Sequence, residues 1–301
     1  MIHTLGPLSI CVWADSILPD PATLVSAGLW HIRSLSGQGR PSLRGPAGAP
    51  WFNTAEWSGL ETDRWSAWIG NHAQTGFIWA GTKMEESEPL SVVMPAALRR
   101  AGILDGHGAV IAPDPNRPDD GLFVTGLSGS GKSTLTVSCA LGGARFLTDD
   151  SVAIGNTGSA LTAWPRRSAL ALTRTMHDAL LGPSPTPVKH EKVFFDGKKI
   201  FGSRCVPSLT VRAVVFMERD QGGDASSTSA GRVDQMEALR RLLMGHPILA
   251  LDVAAKTCFP IVRSLASLPG YRLSGGPDLL DPVTACATLS ALLPGNSSDA
   301  R

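Results

Sequence analysis

Gly126-Leu127-Ser128-Gly129-Ser130-Gly131-Lys132-Ser133-Thr134 fits G-x-x-x-x-G-K-[ST], the pattern of loops that wrap nucleotide phosphates. Its spacing follows from the chemistry. Gly126 and Gly131 let the backbone bend, so that the amides between them, Ser128, Gly129 and Ser130 included, turn toward phosphate oxygens. Lys132 reaches the β- and γ-phosphates and the Ser133 hydroxyl can ligate Mg²⁺. The helix that opens at Ser133-Thr134 aims its positive end at the same anion. A phosphorylated nucleotide and Mg²⁺ are the expected ligands, and the loop alone does not say which nucleotide. The flanks come in the required order: residues 121–125 read as a short buried strand entering the loop, and residues 133–144 as a helix closed by Gly142-Gly143. The bland alternative, a Gly/Ser-rich linker, gives no reason for Gly-Lys-Ser at this register.

Working outward, His107-Gly108-Ala109-Val110-Ile111-Ala112 reads as a strand and residues 113–120 (PDPNRPDD) as a turn, so the loop follows a hairpin. On the other side, residues 144–150 read as a strand ending in Asp149-Asp150. The intervening chain is long enough for the helix to cross over and return a neighbouring strand beside the loop. A carboxylate there can hold Mg²⁺. Adjacent residues on a strand point to opposite faces, so the chain must turn if both carboxylates are to serve. A solvated Asp-Asp turn is the bland reading.

Farther on, residues 151–154 read as a strand with a turn at Gly155-Asn156, Trp164 to Arg167 as a loop or helix cap, and residues 168–181 as a helix. Residues 182–187 (GPSPTP) and 220–231 read as loops, and residues 193–196 as strand-like. Residues 209–217 are the clearest later strand by their β-branched run. Residues 234–244 form an amphipathic helix, 281–293 a closing helix, and 295–301 a tail without order.

Before the nucleotide domain, residues 1–100 hold seven of the eight tryptophans: Trp13, Trp30, Trp51, Trp57, Trp65, Trp68 and Trp79. They read as a small, irregular α+β domain with short strand or helix pieces at residues 62–68 and 76–80 and a short helix from residue 95 to 102 leading out of it. The tryptophans either line a groove for an extended acceptor peptide or fill a small core. The organisation expected is thus residues 1–100, a nucleotide domain at 101–294, and the tail.

A net charge of +1 leaves no footprint for nucleic acid. No apolar run is long enough for a membrane span, and the first residues lack the basic-then-apolar order of a signal peptide. The 5 cysteines, Cys11, Cys139, Cys205, Cys258 and Cys286, are scattered and never in C-x-x-C. That points to reduced thiols in a cytoplasm, each a buried core residue, and away from a zinc site.

Taken in order, His107-Gly108-Ala109-Val110, the glycine-rich loop, and Asp149-Asp150 with Ser151-Val152-Ala153-Ile154 resemble the HPr kinase/phosphorylase family and its shorter relatives. Glu191-Lys192-Val193-Phe194-Phe195-Asp196, Pro207-Ser208-Leu209 and Leu268-Pro269-Gly270-Tyr271-Arg272-Leu273 are similar to its later segments. The resemblance covers residues 100–294, and 107–150 is its specific part. It implies an α/β nucleotide-binding domain of HPr kinase/carboxykinase type with a mixed sheet, the fold shared with ATP-type phosphoenolpyruvate carboxykinase, whose loop this one looks closer to. It also implies transfer of the ATP γ-phosphoryl group to a serine hydroxyl of a peptide or protein. Some relatives act on lasso-peptide precursors. By that resemblance Asp149 is the general base with His107 beside it, and Lys132 neutralises the transferring phosphoryl. Asp150 and Ser133 hold Mg²⁺, Lys192 adds a second positive charge, and Glu191 reaches the metal. The reverse assignment of Asp149 and Asp150 stays open, as does a core role for His107.

The second glycine-rich signature of the bifunctional HPr enzymes has no counterpart here, so HPr itself and the phosphorylase reaction are not expected. Two other functions fit the same motifs: a kinase for a small hydroxylated metabolite, and a nucleotide-binding regulatory module. Enzymes of the family are often homo-oligomers, and the chain carries no seam that decides this. Leu273-Ser274-Gly275-Gly276-Pro277 resembles the signature of ABC-transporter ATPases, but no apolar strand ending in Asp-Glu follows it.

Overall fold

Apolar stretches at 109–112, 122–124 and 213–217 sit in the strands 104–112, 120–126 and 209–218, and all three strands are buried along most of their length, as central strands covered on both faces are. The computed structural model describes residues 2–5, 8–13, 30–35, 51–53, 57–61, 65–70, 75–80, 87–166, 169–183, 191–218, 228–246 and 255–295. The chain divides into two compact units, Met1–Leu104 with Ile248–Phe259, and Asp105–Pro247 with Pro260–Arg301.

The first unit is a seven-stranded mixed sheet. Its strands are β1 (Ile2–Leu5), β2 (Leu8–Trp13), β3 (Trp30–Leu35), β4 (Trp51–Asn53), β5 (Trp57–Glu61), β6 (Trp65–Gly70) and β7 (Thr75–Ala80). They lie in the order β1-β2-β3-β7-β6-β5-β4, with β2–β3 and β3–β7 parallel. Of the short strand or helix pieces expected at 62–68 and 76–80, residues 65–68 and 76–80 are ladder strands, which short aromatic segments favour, and 62–64 lie outside the described residues. Helix α1 (Ser87–Arg100) is longer than the sequence suggests. Ala96, Ala97 and Leu98 on it are buried, and Arg100 Nε donates to Gly70 O at 3.0 Å. Trp68 is a core residue, 1% exposed. The side chains of the other six tryptophans of this region lie outside the described ones.

The second unit is built on an eight-stranded mixed sheet. In chain order it contains β8 (Leu104–Ala112), β9 (Asp120–Gly126), α2 (Lys132–Leu141), β10 (Arg145–Phe146), β11 (Ser151–Thr157) and β12 (Ala160–Pro165). Then come β13 (Ala169–Thr173), α3 (Arg174–Leu181), β14 (Lys192–Asp196), α4 (Gly197–Phe201), β15 (Leu209–Glu218), β16 (Ser229–Val233) and α5 (Gln235–Met244). Helix α6 (Ala255–Ala266), whose residues up to Phe259 belong to the first unit, is followed by β17 (Gly270–Ser274) and α7 (Pro282–Ser290). β8 and β9 form the expected antiparallel hairpin. β9 and β17 flank β15 in parallel, so three strands end on the side where the glycine-rich loop begins. Alternate residues, among them Ile111, Val124, Val215 and Leu273, meet Leu135 of α2 and Leu289 of α7 in one buried cluster. Val137 and Ala140, also on α2, pack with Phe146, Leu170, Leu172 and Phe201 in a second. Helix α2 is thus clamped on two sides. Asp234 and Asp281 cap α5 and α7 by accepting from Glu237 N at 2.9 Å and Thr284 N at 2.8 Å.

Several local expectations are corrected. Only Arg145–Phe146 of the strand expected at 144–150 is paired, and it runs antiparallel to β8, not beside the glycine-rich loop. The parallel neighbour of β9 is β15. Gly155-Asn156 is not a turn: both residues pair with β12, and the chain reverses at Gly158, whose φ is 62°. Trp164 and Pro165 finish β12 instead of starting a loop. The helix expected at 168–181 splits into β13 and α3, because Thr173 caps the helix by accepting from Met176 N at 3.3 Å. Residues 229–231, expected in a loop, belong to β16. Residues 184–187, 220–227 and 296–301 lie outside the described residues.

Cys139 and Cys258 are buried as expected, whereas Cys205 and Cys286 are only half-buried. Cys286 Sγ donates to Cys139 O at 3.3 Å. A hydrogen bond from the Cys139 thiol, aided by the Ala144 amide, outweighs burial and brings Cys286 down to about 7, while Cys139 itself is pushed well above the ordinary thiol value. Burial also raises Cys205. Brief treatment of the native protein with iodoacetamide near neutral pH is therefore expected to alkylate Cys286 ahead of Cys139, Cys205 and Cys258. Peptide mass mapping reads this out, and faster labelling of Cys205 would contradict it.

Candidate active site

The loop leaves β9 at Gly126, which pairs with Met217 of β15. A Cβ on Gly126 would stand 2.4 Å from Met217 O and 3.0 Å from Ser130 Oγ, so only glycine fits. Gly131 caps α2 with a left-handed backbone, φ 96°, and gives that helix no side-chain cap. The opening turn of α2 therefore has no side-chain partner at its cap for its free N–H groups. Gly126→Ala is expected to cost about 1–3 kcal/mol, because a backbone carbonyl in a ladder cannot step aside. The urea midpoint of the variant measures this, and an unchanged midpoint would refute the contact.

Lys132 is 6% exposed and folds back over the loop, donating from Nζ to Gly126 O at 2.7 Å and Leu127 O at 3.0 Å. Burial lowers its pKa most; Lys192 lowers it further, and Asp150 and Asp149 oppose the shift. Lys192, Asp149 and Asp150 thus lie close enough to act electrostatically on the Lys132 ammonium. Inside the loop Ser130 is 8% exposed, and its Oγ has no hydrogen-bond partner among the described residues.

Between β10 and β11 the chain turns, which answers the problem of two adjacent carboxylates. Asp149 is 1% exposed: Oδ2 accepts from Ala171 N of β13 at 3.1 Å, and Oδ1 has no hydrogen-bond partner among the described residues. Burial pushes its carboxyl above the usual aspartate value, against the pull of the Ser133 hydroxyl and the Ala171 amide. Asp150 instead stays half-exposed and meets His107, with Nδ1 and Oδ1 3.3 Å apart. The two strands are also joined here by Gly108 N, which donates to Asp150 O at 2.8 Å.

His107 is therefore not a core histidine; its side chain is 47% exposed. Thr125 Oγ1 donates to its carbonyl at 2.9 Å, tying β8 to the strand that feeds the loop. Its own N–H donates to Nε2 of His246 at 3.2 Å. Lys192 opens β14 opposite Thr173, two residues along β13 from the Ala171 that holds Asp149. Glu191, the expected metal ligand, is exposed with φ 64° and makes no hydrogen bond or ion pair among the described residues. So Lys132, Ser133, Asp149, Asp150, His107 and Lys192 gather around the loop, and nothing ties Glu191 to them. Ala171 and His246 were not legible as site residues: one acts through a backbone amide, and the other is a histidine just past a helix.

The chain is similar to the HPr(Ser) kinase/phosphatase of Coxiella burnetii. The two superpose with a TM-score of 0.36 at 13% identity, over 62% of this chain and 96% of that one. This bears the name of the family that the sequence resembles. No protein-family model matches the chain, and no curated protein does.

Ser133, Asp149 and Asp150 offer only oxygen donors. Such a set fits Mg²⁺, which takes one or two carboxylates and completes its shell with phosphate and water. Among the described residues no group of three or more His, Cys, Asp or Glu forms an all-protein metal site, and no helix is long and apolar enough to cross a membrane.

Proposed function

We propose that this protein is an ATP-dependent kinase that phosphorylates a serine hydroxyl of a peptide or protein in the cytoplasm. The observation that carries the reading is the unlike treatment of the two adjacent carboxylates. Asp149 is buried, raised in pKa and keeps one oxygen without a partner; Asp150 is half-exposed and paired with His107. A base must have a free lone pair and an affinity for protons closer to neutrality. Asp149 has both, and this favours it over Asp150 for the acceptor proton.

The division of labour follows. Ser128, Gly129, Ser130, Gly131 and Thr134, with the α2 N-terminus, receive the phosphates, and the Ser130 hydroxyl supplies a buried donor. Lys132 exchanges its loop carbonyls for phosphate oxygens. Mg²⁺, held by Asp150 and Ser133, would neutralise charge on the phosphates during transfer. Asp149 Oδ1 takes the proton of the serine hydroxyl as its oxygen bonds to the γ-phosphorus and the bond to ADP breaks. His107 holds Asp150 in place, and Lys192 adds positive charge at the open side.

The test is incubation with γ-³²P-labelled ATP and Mg²⁺, using serine-containing peptides, the same peptides with Ser→Ala, and a panel of small hydroxylated metabolites. Label on phosphoserine supports the reading. ADP release with a metabolite alone assigns a metabolite kinase, and nucleotide binding without transfer assigns a regulatory module. Either result overturns the peptide assignment.

A further inference from the structure

His246 follows Gly245 at the end of α5 and is 5% exposed. Its ring is used at both nitrogens. Nε2 lies 3.2 Å from the backbone N–H of His107 and must accept from it. Nδ1 lies 2.7 Å from Leu242 O, an acceptor only, so Nδ1 carries the hydrogen. One neutral tautomer satisfies both contacts. A proton on Nε2 would set two donors face to face, and the contact to His107 would have to open.

That contact has leverage. His107 is held at three points: its N–H by His246, its carbonyl by Thr125, and its imidazole by Asp150. Removing the first loosens the β8 backbone at His107, which presents the imidazole. The charges facing His246 come from β8. Asp105, which pairs with Arg166, favours protonation and His107 opposes it; burial is the largest influence and also opposes it, while the Leu242 carbonyl favours it. The net effect holds His246 below the ordinary value of 6.5.

We propose that His246 is a positioning residue for the phosphoryl-transfer site: its neutral ring fixes His107 against Asp150, and protonation at Nε2 releases that pair and slows the enzyme in acid. The proposal rests on the kinase reading. Native His246 binds fewer protons than the unfolded chain, so its contribution to stability is complete above about pH 6.5 and fades as pH falls through its lower native value.

The experiment compares wild type with His246→Gln and His246→Leu. Glutamine can accept from His107 and donate to Leu242 but does not titrate; leucine fills the space and does neither. Leucine is expected to lower kcat by about tenfold to a hundredfold, as misplacement of a reacting group does, with KM for ATP nearly unchanged. Glutamine should restore most of the neutral-pH kcat and shift the acid limb, leaving only the part set by protonation of the base Asp149. If glutamine falls as far as leucine, or if its acid limb coincides with that of the wild type, the proposal fails. A second measurement needs no kinase activity and no variant. Long-range ¹⁵N–¹H spectra of the wild type should show His246 with its hydrogen on Nδ1, and the His107 amide should shift in step as His246 titrates. The opposite tautomer, or a His107 amide indifferent to that titration, would overturn the proposal even if the acceptor proved not to be a serine.

Discussion

Asp149→Asn is expected to lower phosphoryl transfer by about 10²–10⁴-fold, the usual contribution of a general base, with affinity for ATP nearly unchanged. The substitution is close to isosteric. An asparagine oxygen can still accept from Ala171 N, so β13 keeps its anchor. What is lost is the unpartnered Oδ1, replaced by an NH₂ that cannot take a proton. Single-turnover transfer and calorimetric ATP titration separate the two effects, and retained turnover would refute the base assignment. The same variant should also be more stable at neutral pH. The native pKa of Asp149 is raised, so its ionisation disfavours folding: that cost is absent below the unfolded value of about 3.8 and full above the native one. Asparagine never incurs it, so the melting temperature should rise at pH 7 and match wild type in strong acid. A gain in stability with a loss of activity marks a carboxylate kept for chemistry.

Lys132→Ala is expected to abolish both ATP binding and transfer. On the proposed reading the removed charge is the one nearest the phosphates, and loss of a single such group typically costs about 10²–10³-fold. A second effect adds to this. Without Nζ, the Gly126 and Leu127 carbonyls lose their donor and the loop its internal brace. Lys132→Arg is not expected to rescue, because a guanidinium does not fit where a 6% exposed ammonium sits between two carbonyls. Binding with Kd unchanged in the alanine variant would remove nucleotide chemistry from this loop.

Much of this was legible because it is written in local spacing. The loop, the strand before it, the helix after it and the hairpin from β8 depend on glycine and β-branched residues within a few positions. Asp149-Asp150 could be read as a turn problem, since alternation forbids both side chains on one face. What stayed hidden is non-local. The neighbour of β9 is β15, far along the chain, and no pattern in residues 209–218 names its partner. Ala171 reaches Asp149 through a backbone amide, which any residue but proline supplies. Residues 168–181 have helical composition, yet β13 pairs with β14 and buries Leu170 and Leu172, and tertiary pairing overrides propensity. Glu191 entered by resemblance alone, and no contact among the described residues supports it.

The pairing of Gly126 with Met217 has a consequence for how the protein comes to be made. The floor of the loop, the Met217 carbonyl and methyl group, belongs to a strand synthesised long after the glycines that rest on it. A chain still emerging from the ribosome therefore carries the whole motif without the surface that shapes it. Such distant pairings form late, after the entropy of a long closure has been met. On the proposed reading the motif can hold a nucleotide only once β15 has docked, so a nascent chain cut short before residue 209 should retain no ATP.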